Sequence, residues 1–287
     1  MGAGANARGE HLHWGMSDTS VQIHPTAIVS PAAKLGKNVK IGPGCIIRGD
    51  VTLGDDVELI ANVFIEGPAT VGARTLLFPG ACLGFPPQDY KFKIGMPTAG
   101  VAIGEDCLIR EHVTVHAASK LDHPTRVGNK CFLMVSSHLG HDTVVGNNVV
   151  MVNNVLLAGH VTVQDNVTMG GSAAVHQFCR VGRLAMVSGL SAVSLDVPPF
   201  CIMVERNQLV GLNAVGLRRN GVPREDITLL RKAFRVALAT RLPRQEMLDV
   251  LEPMSKVSVF VAELREFIVG TKRGIAPARM DLSESDE

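Results

Sequence analysis

The sequence predicts a mainly β chain, a parallel β-helix of hexapeptide repeats followed by a small α-helical domain, and three observations carry that expectation. First, stepping by six from Ile23 gives Val29, Leu35, Ile41, Ile47, Leu53, Leu59, Ile65, Val71, Leu77 and Leu83, all apolar. The series resumes at Ile103, Ile109 and Val115, and again from Val127 through Leu133, Leu139, Val145, Met151, Leu157, Val163, Met169, Val175, Val181, Val187 and Val193. Second, a small or β-branched residue stands two positions earlier: Val39, Cys45, Val51, Val57 and Val63 in the first run, and Cys131, Ser137, Thr143, Val149, Val155, Val161, Val167, Ala173 and Cys179 in the last. Both residues of each pair therefore face inward. Third, aromatics make up only 4% of the 287 residues, with one Trp and one Tyr, as a narrow core filled by Ile, Leu and Val requires.

A helix repeats near 3.6 and a half-exposed strand near 2, so an apolar period of six fits neither. A period held this long marks a solenoid, and hexads build parallel β-helices. Each hexad supplies one short strand and a turn, three hexads close one triangular coil, and coils stack about 4.8 Å apart by strand pairing. About 26 hexads, or close to nine coils, predict a prism on the order of 40 Å tall.

Residues 1–20, rich in Gly and Ala, are expected to be disordered. Two segments break the hexad rule, 85–100 (FPPQDYKFKIGMPTAG) and 117–125 (AASKLDHPT), and both read as loops leaving the prism. The prism is assigned to 21–200, because the paired prolines of DVPPF (196–200) cannot continue a ladder. Residues 201–275 are assigned to the helical domain: Ile227, Leu230, Phe234, Ala237 and Leu238 fall at helical spacing behind Glu225 and Asp226, which suit a first turn. Further helical stretches are expected around Gln245–Leu251 and Val257–Val269, and 276–287 as an acidic, disordered tail.

Charged residues are 19% and the net charge is +1, so nothing global attracts nucleic acid. With no apolar run of about 18 residues and no signal peptide, the expectation is a cytoplasmic protein with no membrane span. Cys45, Cys107, Cys131 and Cys179 fall in the inward slot, where a reduced thiol is compact apolar filler.

Histidine is not needed to build such a scaffold, yet four cluster in the second half. His141 lies two residues past Leu139, His160 three past Leu157 and His176 one past Val175, and those apolar residues are 18 apart. The three imidazoles are therefore expected to stack at one corner, with His138 beside them. His116 joins if the segment before Val127 carries six excess residues. Each alone reads as an exposed turn residue; convergence on one edge favours a task. An imidazole titrating near pH 6.5 suits a general base, and a zinc site is the competing use of clustered histidines.

At SSHLGHD (136–142), LLAGH (156–160), AVHQF (174–178) and DVPPF (196–200) the sequence resembles the acyl-carrier-protein-dependent UDP-N-acetylglucosamine O-acyltransferases of lipid A synthesis. The resemblance extends to IHPTAIV, QDYK (88–91), IREHVTVH (109–116) and GLNAVGLRRNG (211–221), and covers roughly residues 21–270. It implies a left-handed parallel β-helix assembled as a homotrimer, with active sites between adjacent prisms. Handedness comes from the resemblance alone, since general crossover rules favour the opposite hand.

The resemblance further implies that His141 is the general base, supported by Asp142, and that the Gly159 N–H is the oxyanion donor. It assigns Gln88, Asp89, Lys91, His116, His138, His160, His176 and Gln177 to substrate contacts, Asn213 and Arg219 to the nucleotide, and Gly189 to the end of the acyl channel. It implies acyl carrier protein and UDP-N-acetylglucosamine as partners and no metal or other cofactor. Val215 and Asn220 depart from the family pattern, where an acidic residue and a second arginine are common. Arg206, Arg218, Arg219, Arg224, Arg231, Lys232 and Arg235 offer either a carrier-protein surface or an ordinary solvated face.

The nearest rival is the N-acyltransferase that acts on the 3-O-acylated sugar; it carries a uridine-binding domain before its hexads, and only 22 residues precede Ile23 here. More distant rivals are a zinc-dependent hexapeptide-repeat carbonic anhydrase and an inactive β-prism scaffold.

Overall fold

In a computed structural model, which describes residues 20–279, each predicted hexad is a strand of two or three residues. They run from Gln22–Ile23 to Ala192–Val193. Strands three apart in sequence pair in parallel, giving three sheets of eleven, nine and eight strands wrapped round a common axis. Ile41 and Met151 belong to the first face, Ile47 and Leu139 to the second, Leu53 and Val145 to the third. Register follows the 18-residue period: Leu139 pairs with Leu157, and Leu157 with Val175. Val115 pairs with Leu139 across 24 residues, so the excess six do leave as a loop.

Beyond the first coil both inward positions are buried: Ile47, Leu83, Leu139 and Leu157 are 0% exposed, as are Val39, Cys45, Val155 and Ala173. The six cysteines are free thiols, and burial pushes Cys45 and Cys179 above the usual thiol range, which makes them unreactive filler.

Most turns place one residue in the left-handed region, where Asn, Asp and His are tolerated best among residues other than glycine. Asn148, Asn154 and Asn166 follow that preference. His160 (φ 60°) and Phe178 (φ 65°) take it too, as the bulky Arg74, Lys130 and Leu190 do elsewhere on the prism. His160 and Phe178 lie on the corner leading from the second face to the third.

The paired prolines do not end the first sheet. Cys201–Val204 adds to Met186–Val187 in parallel and then folds back antiparallel on Gln208–Leu212, so the helical part begins only at Ala214. It comprises α1 (Ala214–Arg219), α2 (Arg224–Ala233), a π-helical continuation (Phe234–Ala239), α3 (Arg244–Ser255) and α4 (Val259–Val269). Nor is the start of the expected tail loose. Ala276 and Ala278 are buried, and Arg279 N–H donates to Leu209 O, so backbone pairing holds 276–279; residues 280–287 and 1–19 lie outside the described residues. Among the described residues no helix is long and apolar enough to cross a membrane.

One carboxylate ties the two parts together. Asp196, 1% exposed, accepts from Arg180 N–H (2.8 Å), Arg180 Nε (2.9 Å) and Thr271 Oγ1 (2.8 Å), while Arg180 Nη2 donates to Phe267 O at the end of α4. A buried charge pair is costly to halve, because the remaining partner stays desolvated. Asp196→Ala should cost about 3 kcal/mol in denaturant unfolding and hasten proteolysis between Phe200 and Arg224, with the prism's far-UV signal retained.

Candidate active site

The ladder brings Thr114, His138, Leu156 and Ala174 side by side on the second face, and their turns stack at the next corner. His141 and Gly159 occupy equivalent places in consecutive turns, as do Asp142 and His160, with His160 N–H donating to His141 O (3.0 Å). The glycine is dictated by its neighbour below. A Cβ on Gly159 would meet the His141 ring at 2.7 Å, so any side chain would push the imidazole away.

Asp142 lies behind that imidazole, its side chain 1% exposed. Its Oδ2 is 2.6 Å from His141 Nδ1 and 3.6 Å from His160 Nε2. Loop 117–125 supplies the remaining partners: Ser119 donates from its backbone N–H (3.1 Å) and its hydroxyl (2.6 Å), and Thr125 Oγ1 accepts the Asp142 N–H. Burial alone would raise the Asp142 carboxyl, yet the hydrogen bonds from Ser119 and His141 outweigh it and hold the group below its ordinary value. A carboxylate at Nδ1 fixes the tautomer, so Nε2 carries the free lone pair. That edge of the ring lies against Gly159.

The histidines do meet at one edge, but not as a single stack. His141 and His160 meet edge to face (5.0 Å between ring centres), and His160 instead stacks flat on Phe178 (4.6 Å, 7°). His116 and His138 form a second edge-to-face pair (5.2 Å). His116 reaches Pro86 O (2.9 Å) and His138 reaches Thr114 Oγ1 (2.7 Å). His176 stands apart, 3.4 Å from Arg273. Burial lowers the pKa of His116 and His160, and burial reinforced by His116 pushes His138 down to about 4.

A cleft of about 560 Å³ opens along this edge, and among its walls are Gln88, His138, His141, Gly159, His176 and Gln177. The other expected residues are placed differently. The Asp89 carboxylate closes its own turn by accepting Lys91 N–H (2.9 Å), and Lys91 is exposed. Gly189 is exposed on the corner between first and second faces, outside the cleft walls of one chain. Asn213 caps α1, accepting from Gly216 N–H (3.0 Å) and donating to Leu184 O (2.9 Å). Leu184 belongs to the corner between third and first faces, so Asn213 and the exposed Arg219 lie away from His141 within one chain. Ser119 and Phe178 went unforeseen; no periodicity marks a loop serine, and only the left-handed turn singles out Phe178.

Residues 196–276 match the family model described as UDP-N-acetylglucosamine O-acyltransferase, domain 2. The chain is 44% identical to an acyl-(acyl-carrier-protein)–UDP-N-acetylglucosamine O-acyltransferase of Anaeromyxobacter sp. over 88% of this chain and 98% of the relative. It is 46% identical to the enzyme of that description from Myxococcus xanthus, over the same shares. The chain belongs to the acyl-carrier-protein-dependent UDP-N-acetylglucosamine O-acyltransferases. The solved UDP-N-acetylglucosamine acyltransferase of Francisella novicida superposes with a TM-score of 0.87 at 32% identity, covering 93% of this chain and 97% of that one. The prism is accordingly the left-handed parallel β-helix of this family of enzymes.

His138 gives the acyltransferase fold an acid sensitivity. Unfolding returns its ring from about 4 to its ordinary 6.5, so below pH 6.5 the unfolded chain binds a proton that the folded chain refuses. Its contribution is fully present above pH 6.5 and is lost as pH falls towards about 4. Melting temperatures measured from pH 7.5 to 4 should fall more steeply for the wild type than for His138→Gln.

Proposed function

We propose that this chain transfers a (3R)-3-hydroxyacyl group from acyl carrier protein to the 3-hydroxyl of UDP-N-acetylglucosamine, the first step of lipid A synthesis, with His141 as general base. The His141–Asp142 pair beside Gly159 carries the proposal. A sugar alcohol is a poor nucleophile at pH 7, and a positioned base accelerates its attack by about 10²–10⁴. His141 Nε2 takes the hydroxyl proton as the oxygen adds to the thioester carbonyl, and the imidazolium so formed lies against the buried Asp142 carboxylate.

The tetrahedral oxyanion then accepts from Gly159 N–H, which makes no hydrogen bond within the described residues. One such donor supplies about 2.7–4 kcal/mol. Collapse breaks the carbon–sulfur bond, and the departing pantetheine thiolate takes the proton from His141, leaving the ester and free carrier thiol. His138, neutral at physiological pH, and His176 and Gln177 contact sugar, acyl hydroxyl or pantetheine along the same cleft. Gln88 reaches in from the first loop, Asp89 and the exposed Lys91 would have to leave the turn they form to touch substrate, and His116 and His160 complete the substrate contacts. No metal or other cofactor takes part in this scheme.

The scheme is completed by a homotrimer. Asn213 retains one amide N–H beyond its cap and Arg219 has no partner among the described residues, so both are available to a nucleotide held at a neighbouring prism. Loop residues Tyr90 and Ile94 are almost fully exposed, with Leu156 and Phe178 about half exposed, as an edge covered by another copy would be. The assembly would work in the cytoplasm, where acyl carrier protein and the nucleotide sugar are made. A metal is the competing occupant, because His141, Asp142 and His160 offer ligand atoms within 4.8 Å of one another. Zinc retained at one per site through purification would favour hydration chemistry.

The direct test is transfer to UDP-N-acetylglucosamine from a ladder of hydroxyacyl carrier proteins. His141→Ala should abolish transfer while the trimer, followed by sedimentation, persists; full residual activity removes the base assignment. A Cβ at Gly189 would lie 3.2 Å from Gly171 O, a tight contact at an exposed corner, and a methionine there would take up room that a glycine leaves open. Gly189→Met should therefore shift preference towards shorter acyl chains in the same ladder, and an unchanged profile removes Gly189 from the ruler role.

A further inference from the structure

Asp142 can fix His141 only if its own carboxylate is fixed, and two imidazoles compete for it. Oδ2 is 2.6 Å from His141 Nδ1 and 3.6 Å from His160 Nε2. The terminal torsion of an aspartate is broad, so a turn of the carboxyl plane would trade one ring for the other, and His141 would lose the contact that sets its tautomer. Ser119 closes that choice. Its backbone N–H lies 3.1 Å from Oδ1 and 3.2 Å from Oδ2, and its hydroxyl gives its one proton to Oδ2 at 2.6 Å. Two donors of one residue thus hold both oxygens, with Oδ2 kept against His141.

Ser119 is in turn placed by the first loop. Ala117 N–H donates to Phe85 O (2.9 Å), Ala118 N–H to Gly100 O (3.1 Å), and Ala99 N–H to Lys120 O (3.0 Å). The Thr98 hydroxyl donates to Ala118 O and accepts the Gly100 N–H (3.0 Å). Gly100 has φ 73°, and a Cβ there would meet Pro68 O at 1.7 Å, so this anchor has to be glycine. The neighbours of Ser119 are therefore bonded to both ends of 85–100, the loop that brings Gln88 to the cleft. Ala117 and Ala118 are 0% exposed, which shields that joint from water.

We propose that Ser119 is a positioning residue for the general base and that Thr98 seats it, so that one line of hydrogen bonds runs from Thr98 through Ala118, Ser119 and Asp142 to His141. The assignment rests on His141 as the base of the acyl transfer proposed above. Neither Ser119 nor Thr98 has to touch substrate for this role. Ser119 holds the carboxylate away from His160, and Thr98 holds the backbone from which Ser119 donates. The loop that carries Gln88 to the cleft and the base on the prism thereby share one set of anchors.

The test pairs kinetics with a spectroscopic readout that needs no turnover. Ser119→Ala should lower kcat about tenfold, a part of the 10²–10⁴ that a positioned base supplies, with KM for both substrates unchanged. Ser119→Thr keeps the hydroxyl and should restore kcat, and Thr98→Val, one step further along the line, should lower it about threefold. In an Asp142→Ala background Ser119→Ala should change kcat by less than about twofold, because both substitutions cut the same line. In protein labelled with nitrogen-15 in its histidine rings, the downfield Nδ1–H resonance of His141, identified by its absence from His141→Ala, should be present in the wild type and Ser119→Thr and lost or moved upfield in Ser119→Ala. A resonance unchanged by Ser119→Ala overturns the proposal. So do losses that multiply in the double variant, or a loss expressed in KM alone. If the resonance depends on Ser119 yet the wild type transfers nothing to UDP-N-acetylglucosamine, the positioning role stands and the proposed transfer fails.

Discussion

The parallel hydrogen-bonded ladder between coils is the constraint from which the rest of this structure follows. Each coil is held to the next by backbone bonds such as Gly140 N–H to Leu157 O and Ala158 N–H to Val175 O, and those bonds tolerate no slip. A shift of one residue would turn Leu139 or Leu157 out of a core only two apolar side chains wide per hexad. Side chains 18 residues apart are therefore stacked about 4.8 Å apart whether or not they attract each other. The ladder thus does for His141 and Gly159 what a tailored loop does in other enzymes: it fixes the proposed base and the proposed oxyanion donor on adjacent rungs of a rigid rod.

That rigidity explains why the site can hold a buried carboxylate. Asp142 is taken out of water at a turn whose backbone is already fixed, and loop 117–125 closes over it with Ser119 and Thr125. The six extra residues of the hexad series leave as this loop, so the interruption in the repeat and the hydrogen bonds that hold Asp142 ionised have one cause. Bulky residues in left-handed turns have a related reason. Phe178 is held there by Phe178 N–H donating to Gly159 O, and its ring gives His160 a flat surface that keeps that imidazole facing Asp142.

The helical domain is a second consequence of the open end of a solenoid, which would otherwise leave the last coil uncovered. Asp196 and the pairing of 275–279 with the final strands bind it in place, and that is how Arg273, distant in sequence, comes to lie beside His176 and Ser194.

The sequence by itself determined the repeat, the three-hexad registry of its faces, the two loops and the edge on which the histidines gather. Inward positions recur at a period that backbone geometry alone can satisfy, and a residue's phase within the hexad says which face it joins. Phase is silent on what lies off the ladder. That Ser119 caps Asp142, that His160 stacks on Phe178 rather than on a histidine, and that DVPPF turns the chain into another strand were decided by tertiary packing. So were the capping role of Asn213 and the ordering of 276–279. Each depends on a partner that hexad phase does not specify, such as Asp142 for Ser119, Leu184 for Asn213 and Leu209 for Arg279, and only the closed three-dimensional form brings them together.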